Sequence, residues 1–192
     1  MRPRCPQCLR PERACVCGLA QVVEHQVEVL ILQHPLEQFQ AKGTARLAQL
    51  CLPGSVLQVG EVHERPANPR GKYELLLYPD TALGQGLATT MPMDETRLQP
   101  ASGLRLCVID GTWRKSLKML HLNPWLQALP RLALQAGPPS QYRIRRAHAE
   151  HQLSTLEAIA LALQQLEGRE ITALWPVMQG FLAQQDALVT GR

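Results

Sequence analysis

Asp110 ends an apolar run, residues 104–109 (LRLCVI), and is followed at once by Gly111, Thr112 and Trp113. A helical pattern then begins, with Leu117 and Leu120 spaced to point inward. An acid that closes a buried strand just before a helix falls at the carboxyl edge of a parallel sheet, where open α/β sheets bind their ligands. Gly111 lets backbone come close to whatever is bound there. Thr112 or Asp110 can cap the helix, but capping alone gives no reason for a tryptophan directly after it. Asp110 is therefore the candidate catalytic base and this loop the candidate active-site centre. Trp113 either stacks on a planar ligand or fills core.

The other chemistry-bearing group is a set of thiols. Four of the six cysteines, Cys5, Cys8, Cys15 and Cys17, lie in a C-x2-C-x6-C-x-C pattern. In a reducing compartment such a cluster reads as a tetrahedral zinc site rather than two disulfides. With all four positions taken by sulfur, no coordination site is left for catalysis, so the zinc is structural. Zinc binding in finger peptides is worth about 10–16 kcal/mol. Ordering the segment costs on the order of 20 kcal/mol at roughly 1–2 per residue. The knuckle is therefore expected to dock on the main domain. Cys51 and Cys107 stand in apolar surroundings and read as core residues.

These groups need a scaffold. The chain has 192 residues, 45% of them apolar, enough for one good-sized domain with a small appendage. The first residues carry no secretory signal pattern, and the best apolar run, residues 27–32, is too short to span a bilayer. A soluble, cytoplasmic protein is expected. The net charge of +4 fits a nucleic-acid partner without requiring one.

Residues 27–33 (VEVLILQ) read as the first buried strand, ending at His34-Pro35, a turn. A helix is expected over 36–52, with Phe39, Leu47 and Leu50 inward, stopped by Pro53-Gly54. Strands follow at 55–59 and 73–78, separated by a loop at 64–72, and residues 81–103 read as a surface excursion. After the central strand and helix comes a strand at 131–134. Ser154-Thr155-Leu156-Glu157 is a capping box opening a helix that buries Leu156, Ile159, Ala160, Leu163 and Leu166 and ends at Gly168. This duty already explains Glu157. A last helix is expected over 171–188. The alternation predicts an α/β fold with a mostly parallel sheet flanked by helices.

In such a sheet the loops His34-Pro35-Leu36-Glu37, Tyr78-Pro79-Asp80 and Asp110-Gly111-Thr112-Trp113 share the carboxyl edge, and Leu153-Ser154-Thr155 begins the capped helix beside them. Converging loops make a ligand pocket. No G-x-G-x-x-G or Walker A pattern is present, so neither a Rossmann dinucleotide site nor a P-loop is supported. Basic residues gather in three groups: Lys42 and Arg46; Arg114, Lys115 and Lys118; and Arg143, Arg145 and Arg146 with His148. Each alone is ordinarily a solvated face. Together near one pocket they form a phosphate-binding surface, with RNA affinity that falls steeply with salt.

The ordered set CPQC…CVC (5–17), HPLEQFQAKGTARLA (34–48), LLLYP (75–79), DGTW (110–113) and YRIRR…LSTLEA (142–158) resembles the DTW-domain family of tRNA-uridine aminocarboxypropyltransferases. The resemblance covers nearly the whole chain and is weakest over 81–100 and the final helix. It implies a SPOUT-like catalytic domain over residues 21–192, with a C-terminal trefoil knot as an option, preceded by a zinc knuckle over 1–20. It implies S-adenosylmethionine as donor and a uridine in the tRNA variable loop as acceptor. The 3-amino-3-carboxypropyl group then moves to uracil N3 and methylthioadenosine leaves. The implied donor site comprises Leu77, Tyr78, Pro79, Asp110, Gly111, Thr112, Trp113, Leu153, Ser154 and Thr155. The implied RNA contacts are Lys42, Arg46, Arg114, Lys115, Lys118, Arg143, Arg145 and Arg146.

That chemistry makes demands on the residues. Uracil N3 attacks only after losing its proton, so Asp110 is either the proton acceptor or the group that holds the sulfonium donor. Attack on a sulfonium by an anion cancels charge, and a dry pocket lined by residues 75–77 and 107–109 favours it. The donor's own carboxylate is expected on the amides at Ser154–Leu156. Two rivals remain at this point. A SPOUT-type RNA methyltransferase would differ only in which carbon lies in line with N3, and a non-catalytic zinc-containing RNA-binding module would ignore the donor.

Overall fold

Five short runs rich in Leu, Ile and Val form the strands of one sheet: β1 Glu28–Gln33, β2 Val56–Val59, β3 Tyr73–Leu77, β4 Leu104–Asp110 and β5 Arg131–Leu132. The computed structural model describes residues 3–79, 87, 91–134 and 153–191. Every strand pairing in the sheet is parallel, in the order β2-β1-β4-β3-β5. Parallel strands need crossover connections, and the helices supply them: α1 Ala45–Cys51, α2 Trp113–Leu122, α3 Pro124–Gln127, α4 Thr155–Glu167 and α5 Leu174–Thr190.

The period-two alternation of the strands sorts the core into two clusters. Val29, Ile31, Leu75, Leu104, Leu106 and Val108 face a cluster with α1, α4 and α5. Leu30, Leu32, Leu76 and Cys107 face Met119 and Leu120 of α2 and Leu126 of α3. The result is a three-layer α/β/α sandwich. Cys51 and Cys107 are buried in it, as their apolar neighbours require. No described helix is long and apolar enough to cross a membrane.

The expected helix over 36–52 is shorter in the structure. Residues Pro35–Glu37 make a 3-10 turn and α1 begins only at Ala45. Arg10 explains the delay: its guanidinium donates to the carbonyls of Ala41 (2.5 Å) and Gly43, so the backbone there serves the amino-terminal segment. Phe39, expected inward, is instead exposed and lies under the Arg4 guanidinium. Lys42 is thereby off the helix and does not share an i, i+4 face with Arg46. β5 stops at Leu132, two residues short of the run read from sequence.

The amino-terminal segment packs into the first core cluster through Cys8 and Val16. Gln184 of α5 donates to the Cys15 carbonyl at 2.7 Å, and Arg10 lies 5.1 Å from the Phe181 ring centroid.

Candidate functional site at the carboxyl edge

The chain leaves β1 through α1 on one face of the sheet and leaves β4 through α2 and α3 on the other. β1 and β4 are neighbours, so their carboxyl ends open a crevice at the switch point of the topology. Asp110 is the last residue of β4 and pairs in register with Gln33, the last residue of β1. Gln33 Nε2 donates to Asp110 Oδ2 at 2.8 Å, and the Thr155 hydroxyl donates to Asp110 Oδ1. Three elements thus fix one buried carboxylate, each of its oxygens accepting a hydrogen bond. Gly111 keeps the turn after it tight: a Cβ there would lie 3.2 Å from the Lys115 Cβ.

Thr112, not Asp110, caps α2, accepting from the Lys115 amide at 3.4 Å. This releases Asp110 from the capping role. Trp113 is 44% exposed and stacks on Tyr78, with ring centroids 5.2 Å apart and planes at 19°. It is therefore not core filling. Tyr78 is buried, and burial pushes its hydroxyl above the ordinary phenol range, keeping it a donor. Its hydroxyl, like Arg131 Nε, is buried and has no hydrogen-bond partner among the described residues. Leu77 and Pro79 flank Tyr78 at the same edge.

The capping box of α4 is formed as expected. Ser154 Oγ accepts from the Glu157 amide at 3.3 Å, and the Ser154 amide donates to Glu157 Oε2 at 2.8 Å. The Leu156 amide donates to the Thr44 hydroxyl at 3.1 Å. Two of the three amides expected to seat the donor's carboxylate, those of Ser154 and Leu156, are thus already engaged within the protein. Leu153 is half-buried just before this cap.

His34 closes the rim on the β1 side. Its Nδ1 accepts from the Leu36 amide at 3.1 Å, so its Nε2 carries the proton donated to Glu61 at 2.8 Å. Lys118 also reaches Glu61, at 2.7 Å, and with His34 holds that carboxyl below its usual range. Lys115 reaches the buried Glu37 at 2.7 Å. Two of the five described RNA-contact candidates, Lys115 and Lys118, are therefore paired with carboxylates. Arg46 donates to Gln49 at 2.7 Å, while Lys42 and Arg114 are exposed. Arg143, Arg145, Arg146 and His148 lie outside the described residues, as does Asp80.

The four sulfurs of Cys5, Cys8, Cys15 and Cys17 all lie within 4.8 Å of one another, with Cys5–Cys17 at 3.6 Å and Cys8–Cys15 at 3.7 Å. A tetrahedron with Zn–S bonds of about 2.3 Å requires S···S separations of roughly 3.8 Å. The donor set and its spacing fit a zinc ion.

Reasoning from sequence missed Gln33, Glu61 and Arg131. Gln33 carried one signal, a polar residue closing an otherwise apolar strand. Arg131 carried another, a charge opening one. At the amino edge, a cavity of about 600 Å³ is lined by Val23, Glu24, His25, Gln26, Pro53 and Arg169. Its cationic groups are already engaged: Arg169 contacts Glu167 and the Glu24 carbonyl, and His25 contacts the Val27 and Pro53 carbonyls.

A parallel α/β sandwich with a carboxylate fixed at its switch point, an exposed aromatic stack beside it and a four-thiol knuckle defines an α/β protein with a candidate ligand site at the sheet's carboxyl edge. The chain belongs to the DTW domain family, whose model matches residues 2–189. It is 29% identical over 177 residues to tRNA-uridine aminocarboxypropyltransferase 2 of Macaca fascicularis, a match covering 86% of this chain and 57% of that protein. The protein of the same name from Mus musculus is 30% identical with the same coverage. That from Drosophila melanogaster is 33% identical over 172 residues, covering 88% of this chain and 68% of that protein. The chain thus spans little more than half the length of the two mammalian relatives. No solved structure matches it.

Proposed function

We propose that this protein transfers the 3-amino-3-carboxypropyl group of S-adenosylmethionine to N3 of a uridine in tRNA. The observation that carries the reading is the Asp110 carboxylate, held by Gln33 and Thr155 in the β1–β4 crevice with the Trp113–Tyr78 stack beside it. Relatives that share most of this chain's length bear the name of that activity.

In this reading Asp110 faces the sulfonium, because both its oxygens already accept hydrogen bonds and are better suited to hold positive charge than to take a proton. The exposed face of Trp113 receives a base. Uracil N3 gives up its proton to water, the N3–carbon bond forms as the carbon–sulfur bond breaks, the electron pair of that bond stays on sulfur, and methylthioadenosine departs. Leu76 and Cys107, buried beneath the edge, help keep the pocket dry. Arg114, Lys42 and Arg46 contribute to a phosphate-binding rim, together with Arg143, Arg145 and Arg146. The four thiolates hold a structural zinc. A reducing, cytoplasmic setting goes with this reading, since a thiol cluster stays available to zinc there. A SPOUT-related scaffold with a C-terminal trefoil knot accompanies this reading through the family resemblance.

The test is the nucleoside released when the protein is incubated with S-adenosylmethionine and unmodified tRNA. Methylthioadenosine is expected. Adenosylhomocysteine would replace this reading with methyl transfer, and neither product would leave an RNA-binding module.

A further inference from the structure

Arg131 opens β5 and its side chain lies on the α2–α3 face of the sheet, 5.4 Å from the centroid of the Tyr78 ring. It is 7% exposed and Tyr78 5%. Among the described residues its hydrogen bonding is one weak contact, from Nη1 to the Pro79 carbonyl at 3.4 Å. Among the described residues no carboxylate pairs with it, whereas the other buried strand arginine, Arg105, is clamped by Glu28 at 2.5 Å and Glu74 at 2.9 Å. A buried guanidinium without an acid is costly, and Arg131 Nε together with the Tyr78 hydroxyl adds two buried donors with nothing to donate to. Tyr78 follows β3, the neighbour of Asp110's strand β4, and stacks on the Trp113 ring, while Arg131 lies on β5, one strand further out.

We infer that Arg131 and Tyr78 form a subsite for the α-carboxylate of the donor's amino acid moiety. The inference rests on the proposed reaction and assigns its anionic group a seat. Three points support a carboxylate. One orphan donor lies on β5 and the other on the residue that follows β3, and the guanidinium is 5.4 Å from the tyrosine ring centroid, close enough for both to serve one acceptor group. The guanidinium edge suits a planar two-oxygen anion. Both side chains are almost wholly buried, which favours a small terminal group over a phosphodiester with two bulky substituents. At the start of α4, by contrast, the Ser154 and Leu156 amides are already taken.

The experiment is calorimetric titration of the full chain, without RNA, using S-adenosylmethionine, its decarboxylated analogue and methylthioadenosine. The wild type should bind the carboxylate-bearing donor about 10- to 100-fold more tightly than the decarboxylated analogue, the range expected for hydrogen bonds to a charged group. Arg131→Gln and, more conservatively, Tyr78→Phe should erase most of that difference while leaving methylthioadenosine affinity unchanged, which also reports that the fold survives. Tyr78→Phe keeps the ring that Trp113 stacks on. Retained discrimination in both variants would overturn the subsite and leave the proposed reaction standing. A parallel tRNA titration of the same variants is the second readout: loss of tRNA affinity with donor affinity intact would reassign the anion to an RNA phosphate and likewise overturn the subsite. A wild type that binds neither S-adenosylmethionine nor methylthioadenosine would remove the proposed reaction and the subsite together.

Discussion

At Asp110 the decisive fact is where the two donors come from: Gln33 on β1 and Thr155 at the start of α4, residues 77 and 45 positions away in the chain. Replacing Asp110 with Asn preserves size and leaves Thr155 a partner, but turns one oxygen into an amide that faces the Gln33 amide. The expected outcome is a loss of about 10²- to 10³-fold in kcat/KM for transfer, the scale of a removed electrostatic contact in an active site, with the melting temperature little changed. Activity within a few-fold of wild type would remove Asp110 from the chemistry. Asp110, Thr112 and Trp113 were legible in the sequence because they are contiguous and each is unusual for its place. Gln33 was not, because its role comes from strand register, and register is invisible until the partner strand is known. Arg131 read as one more charge, because sequence gives no sign that a guanidinium will be buried without an acid.

At the scale of elements, the strands and the capped helix follow directly from their patterns, and the capping box appears as written. The misreading of residues 36–44 as helix has a tertiary cause, the capture of two carbonyls by Arg10. The amino-terminal knuckle is therefore more than a decoration: it shapes the approach to α1 and covers α5. With Cys8 and Val16 sharing the main core, removal of its proposed zinc should be felt globally. Purified protein should contain about one zinc per chain. Stripping it with a strong chelator should lower the melting temperature by roughly 4–12 °C, for a loss of about 2–3 kcal/mol in a chain of this size. Metal-free protein with an unchanged melting temperature would contradict a structural metal.

Over the whole molecule, charge and chemistry are segregated to opposite edges of the sheet. The amino edge holds a closed network in which Arg105 bridges Glu28 and Glu74 across three adjacent strands, with Lys72 on Glu28 at 3.2 Å and Arg65 on Glu74 at 2.5 Å. These charges satisfy one another and offer little to a ligand. The carboxyl edge holds the fixed Asp110, the exposed Trp113 face and the orphan donors of Tyr78 and Arg131. The parallel α/β architecture was readable from alternation, while the strand order that makes β1 and β4 neighbours was not, because periodicity carries no information about which strands pair. That order is what turns four separate loops into one site. A crystal structure of the full chain with S-adenosylmethionine bound tests this most directly. The donor should lie in the crevice between the carboxyl ends of β1 and β4, its sulfonium facing Asp110. A donor seated at the amino edge, in the cavity beside His25 and Arg169, or bound with Asp110 turned away from it, would contradict the account.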